Sequence, residues 1–348
     1  GWPSGNGIFT SGGSNSNLYA LILARNSIFQ GAKQEGITAL PKLAILVSER
    51  SHFSMLKGAN TIGIGQSGVV KVPVDERGRM KGDAVRKALE ETVKKGMVPF
   101  MICSTAGTTE TGSFDNLQEI SDLAEKHKLW HHVDGSWGGS LIMLPEERER
   151  FKGLERADSF TWNPHKMMSI PLVCSAFLVK DKDILRRELQ TNDADYIYHE
   201  YDHSEFDTGP SSLACGRRVD SIKLWLSWMY WGDQGYRERI SRCLRLAKFA
   251  TEYIENSEDL ELMFPTQSMN VNFRFKTPSE IDSDDFNRIL RYRLIEEGKA
   301  MVNYCRLENG LSIRLVLLNP ELTEQDLKRF FDRFIHQGKE LLVSSELQ

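Results

Sequence analysis

Apolar residues along this chain recur in two rhythms, and the switch between them lays out the elements. Leu18 to Phe29 carries apolar residues at 18, 21, 22 and 28, the spacing of one helical face. Asp115 to Lys128 repeats it through Leu117, Ile120, Leu123 and Ala124. Short apolar or β-branched runs at Leu43–Val47, Val69–Val72, Phe100–Cys103, Trp130–Val133 and Ser159–Trp162 predict strands. Strands alternating with helices predict a mainly parallel sheet flanked by helices, an α/β fold. Two helices, Val219–Tyr230 and Tyr236–Ile254, lead out of it. From about Leu260 the rhythm changes again. Strands at Val271–Phe275 and Ile313–Leu318 alternate with helices at Asp284–Glu297 and Glu324–Leu342, which predicts a small C-terminal α+β domain. The expected division is a large domain over 1–255 and a small one over 256–348.

Composition narrows the class without changing that layout. The chain has 348 residues, 40% hydrophobic and 26% charged, enough for a sizeable core. A net charge of −4 gives no reason to expect nucleic acid or an anionic membrane as partner. No apolar run reaches transmembrane length, and no signal-peptide pattern is present. Five scattered cysteines (103, 174, 215, 243 and 305) form no CxxC, which suits a reducing compartment, with the cytoplasm as the default. Neither a disulfide framework nor a metal is expected. The doublet His131-His132 invites a metal reading, but adjacent strand residues point to opposite faces.

The candidate chemistry sits at two strand ends. Asp134 closes the Trp130–Val133 run, and Lys166 follows Ser159–Trp162 thirty-two positions later. In a parallel sheet the C-terminal strand ends usually hold the active site. A lysine and an aspartate converging there are what pyridoxal phosphate needs: an amine to condense with the aldehyde and a carboxylate to keep the pyridine nitrogen protonated. Separately, each has a plainer explanation, a solvated loop charge for Lys166 and a turn or N-cap residue for Asp134. Ser11-Gly12-Gly13-Ser14-Asn15-Ser16-Asn17 precedes the first helix and reads either as a phosphate cradle or as an ordinary N-cap. Gly63-Ile64-Gly65-Gln66-Ser67-Gly68 matches the dinucleotide GxGxxG string, but it leads into the Val69–Val72 strand instead of opening a helix.

Taken together, the runs His131-His132-Val133-Asp134-Gly135-Ser136-Trp137 and Asn163-Pro164-His165-Lys166 resemble the group II pyridoxal-phosphate decarboxylases. That family includes the glutamate, cysteine sulfinate, aspartate and aromatic amino-acid decarboxylases. Matching motifs run from Gly7 to Pro320, nearly the whole chain. The resemblance implies a fold-type I architecture and a role for each site residue. Gly13 and Ser14 match the phosphate cradle, and Asp207-Thr208-Gly209 resembles a run thought to approach the phosphate from a neighbouring subunit. Thr105 matches a position beside the pyridine ring. His52 matches the imidazole stacked on that ring, and His165 and Asn163 flank the lysine. Relatives carry an alanine where Ser136 stands, so a hydroxyl replaces a methyl against the ring. Tyr196 matches the mobile-loop tyrosine that returns a proton to Cα, with Tyr198 and Tyr201 as nearby competitors. Arg314, ahead of Asn319-Pro320, matches the arginine that grips the substrate carboxylate, for which a guanidinium fork is suited.

The implied activity is decarboxylation of an acidic L-amino acid, glutamate or cysteine sulfinate first and aspartate close behind. Trp137 and the run Cys215-Gly216-Arg217-Arg218-Val219-Asp220 resemble that branch. Aromatic amino acids are the alternative substrates, and a catalytically silent, partner-binding fragment of this family the alternative role. An aminotransferase would share Lys166 and Asp134, but the stacking His52 argues against one. Relatives carry further sequence ahead of the point matching Gly1, so an N-terminally truncated chain is expected. A homodimer with active sites at the subunit interface is expected from the same resemblance.

Overall fold

The computed structural model describes residues 2–191, 196–199 and 201–344, the side chain of residue 205 excepted. It falls into two compact units, Gly1–Thr109 with Ser113–Tyr236, and Glu110–Gly112 with Arg237–Gln348.

The first unit is built on a seven-stranded sheet. Its strands are β1 (Asn6–Thr10), β2 (Leu43–Ser48), β3 (Val69–Val72), β4 (Val98–Thr105), β5 (Trp130–Gly135), β6 (Ser159–Trp162) and β7 (Ser175–Val179). Their spatial order is β1-β7-β6-β5-β4-β2-β3. Five strands, β3 to β6 by way of β2, pair in parallel. β7 runs antiparallel to both β6 and β1. β2 is buried along its whole length, as a strand covered on both faces must be. Side-chain parity divides it: Leu43, Ile45 and Val47 join the core under the helix Gly13–Ile28, while Leu46 packs with Val85 and Leu89 of the helix Gly82–Lys94. The GxGxxG string makes a short turn at Gln66–Gly68 and runs into β3.

Parallel pairing in register sets the strand ends side by side. Asp134 pairs with Thr105 on one side and Thr161 on the other. The first helix on the chain starts at Gly13, five residues ahead of the apolar spacing, just after the turn that follows β1.

The helix Ser221–Glu255 breaks at Gly232, whose φ of 62° suits glycine and separates the two helices expected there. Residues from Arg237 onward belong to the second unit, because Leu246, Ala250 and Ile254 pack with Phe273 and Phe331 in its core. That unit's sheet is antiparallel, in the order β10 (Asn303–Leu307), β11 (Gly310–Val316), β9 (Asn270–Phe275), β8 (Leu260–Phe264). Helices Ser283–Glu296 and Glu324–Leu342 complete it, the latter opened by a Thr323/Asp326 capping box. No helix among the described residues is long and apolar enough to cross a membrane.

Candidate active site

A cavity of about 320 Å³ opens at the C-terminal ends of the parallel strands. Gly13, Ser14, His52, Thr105, Asp134, Ser136, Asn163, His165 and Lys166 all line it, so nine of the residues singled out from sequence meet in one place. A larger hollow of about 940 Å³, lined by Trp2, Ile142, Phe160, Trp162, Leu178 and Trp228, brings no such set together.

Asp134 is buried at the end of β5. Its Oδ1 accepts from the Ser136 backbone N–H (3.0 Å) and its Oδ2 from Asn17 Nδ2 (2.8 Å). Burial alone would raise its pKa, but hydrogen bonds from Ser136 and Asn17 and the nearby Lys166 outweigh it. The carboxyl is held below its ordinary value and stays ionised. Lys166 stands in the turn after β6, its Nζ 5.4 Å from the centre of the Trp137 ring. His165 is tethered through Nδ1 to the backbone of Cys174, whose carbonyl oxygen lies 2.5 Å away. Asn163 is buried, and its Oδ1 accepts from Ser175 Oγ on β7 (2.6 Å). Ser175 in turn meets Ser16 and Thr10, so the antiparallel strand anchors the segment that carries the lysine.

Thr105 ends β4 and donates its backbone N–H to Asp115 Oδ2 (2.7 Å). His52 is half-buried, bonded through Nδ1 to Ser54 Oγ (2.9 Å), with its ring 4.1 Å from that of Phe53. The histidine doublet divides as strand parity requires. His131 meets Ser104 and Ser121, and His132 meets Ser159 and Asn17, so both rings serve the hydrogen bonding of the core.

Two expected residues are not in the cavity lining. Tyr196 is 78% exposed, and Asp193, Ala194 and Asp195 of its run lie outside the described residues. Arg314 belongs to the second unit, half-buried on β11 opposite Asn272 of β9 and Asn303 of β10. Conversely, Asn17, Ser54 and Phe53 were not anticipated. Asn17 was counted in the polar lead-in to the helix, whereas it is 1% exposed inside it.

The lining fits pyridoxal phosphate on its own chemistry. Thr105 Oγ1 is buried without a hydrogen-bond partner among the described residues, the state of a group that awaits a polar ligand. The helix Gly13–Ile28 has no side-chain cap and no acidic residue in its first turn, which leaves backbone N–H groups and a positive dipole end for a phosphate. An ionised carboxylate and a lysine line the same space.

Comparison with known proteins agrees. Residues 1–276 match the pyridoxal-dependent decarboxylase conserved domain. The chain is 37% identical to the acidic amino acid decarboxylase GADL1 of Bos taurus, over 98% of this chain and 68% of that protein. It is 38% identical to human cysteine sulfinic acid decarboxylase, over 98% and 72%. Among crystal structures, mouse CSAD in its apo form superposes with a TM-score of 0.92 at 36% identity, covering 97% of this chain and 73% of that one. Oryza sativa TDC with PLP and tryptamine superposes with a TM-score of 0.90 at 25% identity, covering 97% and 71%.

Proposed function

Because this chain belongs to the pyridoxal-dependent decarboxylase family, and so is an amino-acid carboxy-lyase that uses pyridoxal 5'-phosphate, we propose that its substrate is an acidic L-amino acid. Glutamate and cysteine sulfinate are the first candidates and aspartate the next. The observation that carries this reading is the identity of 37–38% with relatives named for acidic substrates, joined to a cavity that holds Lys166 beside an ionised Asp134. Trp137, which lines that cavity, is one of the residues resembling the acidic branch.

When bound, the cofactor supplies an aldehyde for an amine and a ring that draws electrons from Cα. The protein's residues do the rest. Lys166 would hold the cofactor through its side-chain amine. Asp134, a buried carboxyl held below its ordinary pKa, would keep the ring nitrogen protonated. Gly13 and Ser14 take the phosphate at the helix N-terminus, with Asn163 and His165 ordering the turn around it. Thr105, Ser136 and His52 bound the ring. Arg314 holds the substrate carboxylate, and Tyr196 delivers a proton to Cα after carbon dioxide leaves. These assignments rest on the match of each residue to its motif and, for the nine in the cavity, on their convergence.

The working assembly in this reading is a homodimer. Ile222, Trp225, Leu226 and Met229 are exposed at helical spacing on Ser221–Glu255, an apolar stripe of the kind that marks an interface. Purifying the full gene product, measuring its mass in solution, and screening acidic and aromatic amino acids for carbon dioxide release tests the proposal. Release from glutamate, cysteine sulfinate or aspartate is expected. Release from aromatic substrates alone would overturn the substrate class, and stoichiometric keto acid without carbon dioxide would revive an aminotransferase.

A further inference from the structure

Asn17 divides one amide between the two ionisable walls of the cavity. Its Nδ2 donates to Asp134 Oδ2 (2.8 Å) and to Ser54 Oγ (2.9 Å). A carboxylate can only accept, so the atom facing Asp134 has to be the nitrogen. The amide oxygen then faces Thr161 Oγ1 and His132 Nε2, each at 3.1 Å, and His132 carries its proton on Nε2. His132 Nδ1 is left to accept from Ser159 Oγ (2.8 Å). Ser159 Oγ itself accepts from the Trp130 indole N–H (2.9 Å), a group that can only donate. The chain therefore begins at an obligatory donor and ends at an obligatory acceptor. Thr161 Oγ1 also lies 3.3 Å from His132 Nε2, within the same cluster.

The other branch reaches His52. Ser54 Oγ lies 2.9 Å from His52 Nδ1 and turns its own proton to it, because a backbone donor already faces the lone pair of that nitrogen. The Ser54 backbone N–H points at the same nitrogen (3.2 Å). Two donors converge on Nδ1, and a proton there would confront both. His52 is accordingly neutral, with its proton on Nε2. Burial holds the imidazole below its ordinary pKa against the pull of Asp134, and the charges of Lys166 and Lys57 act in the same direction as burial.

We propose that Asn17 and Ser54 are positioning residues that set both walls from a single amide: Asp134 as an anion, and His52 as the neutral Nε2–H tautomer. His52 then meets a bound substrate as a hydrogen-bond donor and does not serve as a base through Nε2. What this means for turnover rests on the cofactor reading of the cavity, but the relay belongs to the protein alone.

The test is long-range proton–nitrogen NMR on the full gene product labelled with nitrogen-15 histidine, with and without cofactor. His52→Gln assigns the signals. Between about pH 6 and 8, the range in which an unperturbed imidazole titrates, the His52 Nδ1 signal should be that of an unprotonated nitrogen and Nε2 that of a protonated one. Ser54→Ala leaves one donor on Nδ1 and should shift the pair towards mixed tautomers or imidazolium. Asn17→Ala should do the same by freeing the Ser54 hydroxyl to turn. Ser54→Thr, which keeps the hydroxyl, should restore the wild-type pattern, which a merely structural role would not require. If Asn17→Ala does not fold, the two Ser54 variants carry the test. An Nδ1–H or charged His52 in the wild type, or an unmoved tautomer in Ser54→Ala, would overturn the proposal. Failure of the wild type to bind cofactor would sink the functional reading and leave the NMR result standing.

Discussion

Gly13 meets Ser136 with no room for a methyl group: a Cβ at residue 13 would stand 2.5 Å from Ser136 Oγ and 2.7 Å from Asn163 Nδ2. The helix N-terminus and Ser136, two residues after Asp134, therefore pack backbone against side chain at the wall of the cavity. Gly13→Ala should fold, since the clash is with side chains at the cavity wall. Pushing them aside costs about 1–3 kcal/mol by analogy with overpacked cores. Cofactor affinity should fall roughly tenfold to a hundredfold, read by titrating cofactor into the cofactor-free variant. Unchanged affinity would show that Ser136 turns away freely and that the phosphate is held elsewhere.

Lys166→Ala should remove the covalent, borohydride-fixable attachment of cofactor and lower turnover by several orders of magnitude, because no second lysine among the described residues lines the cavity. Asp134→Asn should separate binding from chemistry. The amide oxygen can accept from Ser136 or from Asn17 but not from both; cofactor should still bind through Lys166 and the phosphate cradle, but the amide cannot hold a proton on the ring nitrogen. Carbon dioxide release should drop by orders of magnitude with the attachment intact. A wild-type rate in that variant would end the electron-sink role.

The strands that lead to these two residues were legible because Trp130–Val133 and Ser159–Trp162 are short runs rich in aromatic and β-branched residues that stop just before the polar chemistry. β7 and β1 were not. Ser175–Val179 and Asn6–Thr10 are short and begin or end in small polar residues, and their antiparallel pairing depends on how the chain doubles back after Lys166. Asn17 was missed for a related reason. The apolar spacing starts at Leu18, but the helix starts at Gly13, and its first turns are polar because they face the cavity. The contacts of Asn17 with Ser54, His132 and Asp134 span 37, 115 and 117 positions, beyond any local pattern. Phosphate cradle, lysine and aspartate were visible as motifs, whereas the groups that aim them were visible only once folded.

Three buried groups should dominate the acid response of stability. Burial pushes His131 down to about 3 and His132 down to about 4, and it pushes Asp115 up to about 7 against N–H donors from Met80 and Thr105. Below about pH 6.5 each histidine takes up a proton when unfolded and refuses it when folded, so acid erodes the fold through both. Asp115 works the other way. Between about pH 4 and 7 it is protonated folded and ionised unfolded, so acid favours the fold through it. The net is about one proton, or roughly 1.4 kcal/mol of stability lost per pH unit between about pH 6.5 and 4. Urea unfolding across that window measures it. His131→Gln should flatten the slope, even as it lowers overall stability, and Asp115→Asn should roughly double it. A slope unchanged in both variants would assign the acid response to other groups.

Tyr196 is the residue for which the proton argument can be made from its neighbours. The Tyr198 hydroxyl donates to Cys215 Sγ (3.4 Å) and the Tyr201 hydroxyl to Asp207 Oδ2 (2.8 Å), so either would have to leave a partner before serving a substrate. Tyr196, 78% exposed, lies two residues from Tyr198 and five from Tyr201, and it is the tyrosine that the family motif matches. Tyr196→Phe keeps the ring and removes only the transferable proton. Carbon dioxide should still leave, because that step needs Asp134 and Lys166, but protonation of Cα should slow by about 10²–10⁴, the usual worth of a positioned acid. The electron pair left at Cα can then pass to dioxygen. Aldehyde, ammonia and hydrogen peroxide should appear in equal amounts at the expense of amine, and oxygen uptake should match them. The assay follows carbon dioxide, amine and peroxide together in the full gene product. Amine alone at the wild-type rate would move the donor to Tyr198, Tyr201 or His52, and the Nε2 proton assigned to His52 would make it the first to test.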